Sequence, residues 1–282
     1  MFNLRPKIGV STRYLLNHKE DFLKIFDLLS EPGFREEKSD ILEIVDSEEH
    51  YLDKEKIKRL NEFMKTGSIF TIHGPCDDWI NIADKEVSRR KRSIRRIIES
   101  IDAAASLEAK SFVLHPGNYY LEEKDSLSEL NSDSLIELSD YASDRGIPIG
   151  VENMMVGSHN FMKLPEEFKS LEERRGIKIN LTLDVGHAQI GNQIENFIDL
   201  YADRILSIHI HDNGGSSDDH LDIGDGVIEW KQVLKKIVTS SFSGNYIVET
   251  HNEPFDSLLT LRKMLSELEG SYSNRGKVIL AP

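Results

Sequence analysis

The chain has 282 residues, 39% hydrophobic and 30% charged with 18 Gly and 8 Pro, which excludes a disordered or fibrous chain and suits one large domain over residues 1–282. Its 49 Asp and Glu against 35 Lys and Arg leave a net charge of −14, which repels polyanions and disfavours extensive contact with a nucleic-acid duplex. No apolar run is long enough for a membrane span, the opening MFNLRPKIGVSTR lacks the apolar stretch of a signal peptide, and the lone Cys76 excludes an intrachain disulfide or a Cys-rich zinc site, so a cytoplasmic protein with no membrane partner is expected.

Taken in chain order, β-branched runs alternate with helical stretches. KIGVST from Lys7, ILEIVD from Ile41 and SIFTIHG from Ser68 come first. An amphipathic helix is predicted over 85–107; it carries Arg89, Arg90, Lys91, Arg92, Arg95 and Arg96, expected as a solvated outer face. SFVLHPG from Ser111 precedes a helix predicted over 134–145 and stopped by Gly146. IPIGVEN from Ile147, IKINLTLDV from Ile177 and ILSIHIHD from Ile205 follow. A helix over 230–238, the strand NYIVETH from Asn245 and a helix over 255–268 complete the pattern, with residues 271–282 expected as a tail. Such alternation implies parallel strands with crossover helices, and eight units close into a single α/β TIM barrel, (β/α)8.

In such a barrel the chemistry sits where strands run out into the following loops. His73 ends the third strand, His115 the fourth, Glu152 the fifth, and Asp184 with His187 the sixth. The seventh supplies His209 and His211, its loop Asp218 and His220, and the eighth Glu249 and His251. Seven of the ten histidines fall at these ends, with His18, His50 and His159 elsewhere. Imidazole and carboxylate suit Zn or Mn, and carboxylates converging on one spot need a cation. Singly, each of these residues reads equally well as a hydrogen-bonded rim residue or a helix cap.

Other residues carry two readings each. Arg13 and Glu43 reach towards the pocket, for a phosphate and a hydroxyl, or form a barrel-layer ion pair. Trp79 stacks on a sugar or base, or packs on its neighbours; Trp230 starts a helix by ordinary packing. His211 and His251 share parity with His209 and Glu249 and become the ligands if the register shifts by two. Cys76 is expected as a small loop hydrophobe rather than a nucleophile.

The motifs LHPG, VEN, LDVGH, HIHDN, the pair Asp218 and His220, IGDGVIEW and VET stand in the order found in the xylose isomerase-like barrel superfamily, and nearly the whole chain resembles it. That superfamily includes sugar phosphate isomerases and epimerases and is related to endonuclease IV-type abasic-site endonucleases. The epimerase resemblance implies Glu152, Asp184, His209 and Glu249 as ligands of one divalent metal, with His187 beside a small sugar or sugar-phosphate substrate. Glu152 and Glu249 would then move the proton next to a metal-polarised carbonyl. The endonuclease IV resemblance implies a multinuclear zinc site on His73, His115, Glu152, Asp184, His187, His209, Asp218, His220 and Glu249, hydrolysing a phosphodiester at abasic sites in DNA. The loops NGGSSDDHLDIGDG and GPCDDWINIAD contain no Lys or Arg, which favours the isomerase or epimerase. A barrel that binds sugar or metal without turnover is the third reading.

Overall fold

A computed structural model describes residues 6–31, 39–119 and 123–277, with side chains to residue 269. Its strands are β1 (Ile8–Ser11), β2 (Ile41–Val45), β3 (Phe70–His73), β4 (Phe112–Leu114), β5 (Ile149–Glu152), β6 (Asn180–Asp184), β7 (Ile205–Ile210) and β8 (Asn245–Val248). Each pairs in parallel with the next, and β8 returns to β1 through Ile8↔Tyr246, so the barrel closes in sequence order as expected. These strands are short and rich in Ile, Val and Leu because both faces are buried: one lines the barrel, the other meets the helices. Gly9 stands where β1 comes so close to β2 that an added Cβ would lie 1.9 Å from the Ile41 carbonyl oxygen.

The helices are α1 (Arg13–Asn17), α2 (Leu23–Ser30), α3 (Lys54–Lys65), α4 (Val87–Ser106), α5 (Lys124–Ser143), α6 (Pro165–Arg175), α7 (Val185–Ile190), α8 (Ile194–Tyr201), α9 (Trp230–Val238) and α10 (Phe255–Lys277). Among these described helices none is long and apolar enough to cross a membrane.

Two boundaries differ from the sequence reading. Helix α5 starts at Lys124 rather than 134, through a Ser- and Asn-rich stretch of weak helix propensity. There Asn131 accepts the Gly117 amide at 2.7 Å and Ser134 donates to the Ile82 carbonyl at 2.7 Å, so tertiary hydrogen bonds override local preference. Helix α10 runs on to Lys277, because propagation costs little once Leu258, Leu261 and Leu265 are packed. The expected tail from 271 is thus helical to 277, and its remainder lies outside the described residues.

Candidate metal centre

Backbone pairing places the donors. Asp184 on β6 lies opposite His209 on β7. Glu249 follows β8 directly, its amide donating to the Ile210 carbonyl at 3.0 Å. His73 and Glu152 close β3 and β5, and His115 follows β4. His187 stands in the first turn of α7, whose cap is Asp184: Asp184 Oδ1 accepts the His187 amide at 2.6 Å. The strand-end carboxylate therefore caps a helix and faces the site at once.

Three groups of donors result. In the first, Glu152 Oε2 lies 3.0 Å from His115 Nε2 and 3.5 Å from His73 Nε2. In the second, His209 Nδ1 is approached by Glu249 Oε2 at 3.2 Å, Glu152 Oε1 at 3.6 Å and Asp184 Oδ2 at 3.9 Å. In the third, Asp218 Oδ2 lies 3.2 Å from both His187 Nε2 and His220 Nε2. Glu152, with one oxygen towards each of the first two groups, joins them.

The second nitrogen of four histidines decides what the first can do. His73 Nδ1 meets the Gly74 carbonyl at 2.8 Å, His187 Nδ1 the Asn153 carbonyl at 2.9 Å, and His220 Nδ1 the Glu249 carbonyl at 2.6 Å. A carbonyl only accepts, so these nitrogens carry the hydrogen and leave Nε2 for the site. His209 is reversed: Nε2 lies 3.3 Å from the buried Glu43 carboxylate, leaving Nδ1. Fixing one ring nitrogen this way orients and strengthens a metal-binding imidazole.

Electrostatics point the same way. Glu152 and Glu249 are fully buried, yet the histidines round them, led by His115 and His209 respectively, hold both carboxyls well below the usual range. Burial opposes charge on the histidines, but neighbouring carboxylates prevail: His187, beside Asp184 and Asp218, is raised to about 10, and His220, bonded to Asp218, to about 9. His73 rises to about 9 against its burial through Glu152, while burial lowers His115. Buried atoms without a hydrogen-bond partner include Glu43 Oε1, Glu152 Oε2, His209 Nδ1, His211 Nδ1 and Asp218 Oδ1, all in this one cluster. Clustered N and O atoms that approach one another without well-formed hydrogen bonds fit divalent cations held by N and O. His220 also has φ +48, a backbone conformation uncommon outside glycine, as loop residues aimed into a site often do.

All nine residues of the longer expected set thus meet in one cluster. His211 joins them without replacing His209: its Nε2 meets Asp184 Oδ2 at 3.0 Å and its ring stacks on His220 with centroids 3.9 Å apart. His251 points elsewhere, exposed against His18. Glu43 pairs with His209, not with Arg13, whose guanidinium donates to Cys76 Sγ at 3.5 Å. Trp79 packs under Arg92, Arg96 grips Asp46, and the remaining basic residues of α4 form its outer face.

Two supporting residues escape the sequence reading. Asn153 accepts the Asp184 amide at 2.8 Å and donates to the Asp184 carbonyl at 3.0 Å. Asp212 gathers the loop after β7, accepting the Gly224 amide at 3.0 Å, the Ile228 amide at 3.2 Å and Trp230 Nε1 at 2.8 Å. Their signal is their place inside VEN and HIHDN, next to Glu152 and His211.

Comparison with known proteins agrees with this architecture. Protein MJ1614 of Methanocaldococcus jannaschii is 32% identical over 266 residues, 89% of this chain and 95% of its own. A solved D-tagatose 3-epimerase-like protein, 26% identical, superposes with a TM-score of 0.77 over 95% of this chain and 99% of its own. A probable endonuclease 4 of Acholeplasma laidlawii is 23% identical over 211 residues, 69% of each chain. With the closed barrel, the donors on its strand ends and residues 36–269 matching the family's profile, the chain belongs to the xylose isomerase-like TIM barrel family.

Proposed function

We propose that this protein is a divalent-metal-dependent isomerase or epimerase of a small sugar or sugar derivative. One observation carries the reading: the β5, β6 and β8 carboxylates converge on His209 Nδ1, with Glu152 and Glu249 both buried and held well below the usual carboxylate range by the histidines round them. Glu152, Asp184, His209 and Glu249 would hold an ion there, Zn or Mn by donor type. When bound, it would polarise a substrate carbonyl and acidify the adjacent carbon-bound proton. Glu152 and Glu249 reach the centre from different strands, so one removes that proton and the other returns it. Ser11, donating to Glu249 Oε1 at 3.3 Å, orients that carboxylate, and His187 holds a substrate oxygen beside it.

A second reading, hydrolysis of a phosphodiester by a multinuclear centre, is favoured by Asp218 lying equidistant between His187 and His220, which a single ion does not require. The acidic loops leave duplex DNA the weaker substrate for it.

Two measurements divide these readings. The isomerase predicts exchange of a carbon-bound substrate proton with solvent deuterium across a panel of ketoses and ketose phosphates, abolished in Glu249→Gln; no exchange anywhere sinks it. Metal content is then compared with that of the triple change His115→Ala, Asp218→Ala, His220→Ala. One ion per chain, unaffected by the change, supports the isomerase; two or three falling to one support hydrolysis.

A further inference from the structure

We propose that Arg13 recognises an oxyanion, the carboxylate or phosphate of a small sugar acid or sugar phosphate whose carbonyl end lies at Glu152, His209 and Glu249. The proposal rests on the isomerase reading for the carbonyl end and on Arg13 itself for the charge.

Arg13 is the first residue of α1, directly beyond the C-terminal end of β1. Its amide approaches Ser11 Oγ at 3.4 Å, and that hydroxyl donates to Glu249, so the backbone beneath Arg13 is tied to the centre. The guanidinium is partly buried, and its side-chain partner is a thiol, Cys76 Sγ. Sulfur accepts weakly, whereas a guanidinium carries five N–H donors in a fork that matches a carboxylate or phosphate. Other arginines of the chain have found such partners. Arg96 bonds both Asp46 oxygens, Arg89 holds Asp84, and Arg204 holds Glu172. No carboxylate lies within ion-pair distance of Arg13 among the described residues, yet its charge is felt by Glu249 and His115. It therefore faces the centre with donors to spare.

Beyond its partner Cys76, rather than against the guanidinium itself, lies space for a small hydroxylated molecule. A cavity of about 200 Å³ opens between the loops after β3 and β4, lined by Cys76, Asp77, Asp78, His115, Asn118 and Asn160. Cys76 and His115 connect it to Arg13 and to the first group of donors. Asp78, Asn118 and Asn160 offer oxygens to substrate hydroxyls. A neutral ketose brings the guanidinium no counter-charge; an oxyanion brings one in a shape its fork of N–H donors matches.

The test uses three probes sharing a hydroxymethyl ketone: dihydroxyacetone, which is neutral, dihydroxyacetone phosphate and hydroxypyruvate. Binding to the manganese-loaded protein is measured by calorimetry for the wild type and Arg13→Gln, with metal content and melting temperature recorded for both. The expected result is at least a tenfold preference for one or both charged probes, lost in Arg13→Gln while dihydroxyacetone affinity and metal content stay unchanged. The probe preferred identifies the carboxylate or phosphate. Equal binding of all three probes by the wild type, or a preference that survives Arg13→Gln, overturns the proposal and leaves Arg13 as a counter-charge for Glu249. Should Arg13→Gln fail to fold, Arg13→Lys replaces it: a several-fold loss confined to the charged probes is expected, and an unchanged preference overturns the bidentate grip. Deuterium exchange is scored separately, so loss of the isomerase reading and loss of the Arg13 preference remain distinguishable.

Discussion

His73, His115 and Glu152 make one group of donors; His187, Asp218 and His220 make another, from the same residue types held by different means. The first is carried on the ends of three consecutive strands, where ladder hydrogen bonds set each Cα. The second is assembled from a helix start and a long loop, and Asp218 and His220 stay in place because Asp212 gathers that loop from below. The paired backbone of Asp212 and Leu221, bonded at 2.9 and 2.8 Å, and the close approach of Gly226, where a Cβ would lie 2.1 Å from Asp212 Oδ1, complete the pin. One donor group on a rigid scaffold and one on a tethered loop teach that donor convergence alone does not make two groups equally preformed.

The largest effect is expected from Glu152→Gln, which strikes the residue that joins His73 and His115 to the donors round His209 Nδ1. Turnover should fall by about 10²–10⁴-fold if Glu152 moves a proton. Metal measured after dialysis should drop while the far-ultraviolet dichroism of the barrel is kept; full metal content in this variant would break the assignment of Glu152 as the joint.

Asp212→Ala should separate the two groups. It strands the Gly224 and Ile228 amides and the Trp230 indole, at about 1–3 kcal/mol for a buried donor left unsatisfied. Hydrogen exchange should accelerate in residues 213–229; in a multinuclear centre metal at Asp218 and His220 should weaken while that at His73 and His115 persists, whereas a single ion on Glu152, Asp184, His209 and Glu249 should be retained. Equal weakening of both would show that the loop also supports the strand ends.

The smallest effect, and the sharpest comparison, is in pH. A metal must displace the proton from each charged imidazole, so affinity rises with pH towards the raised values. The second group contains two raised histidines, His187 at about 10 and His220 at about 9, whereas the first contains one, His73 at about 9, beside a lowered His115. In a multinuclear centre, below pH 9 the logarithm of affinity should climb about twice as steeply for the group of His187, Asp218 and His220 as for that of His73, His115 and Glu152, as calorimetry in buffers of different ionisation enthalpy would measure. The sign for the metal-free fold is opposite. These raised histidines contribute stability that is complete below their unfolded value near 6.5 and is lost as pH rises through about 9 to 10.

Much of this was readable before folding. Every strand announced itself, because runs such as ILEIV and ILSIHI carry β-branched residues at local spacing, and spacing survives in one dimension. The nine expected donors were likewise visible, seven at strand ends and Asp218 and His220 in the loop after β7. The start of α5 was not, since Asn131 and Ser134 act through carbonyls and amides from other loops. Nor was the choice between His209 and His211: their parity is identical, and only pairing with β6 puts His209 opposite Asp184 and His211 one step above it.

The sequence by itself determined the number of strands, their parallel order and the residue types at their ends, since these follow from hydrophobic period and chain connectivity. Only the tertiary structure decided which nitrogen each histidine turns to the centre, that Glu43 holds His209 across 166 residues, and that Arg13 is left facing a thiol. Those facts depend on distances fixed when β8 closes on β1, and no local pattern encodes a distance between residues so far apart along the chain.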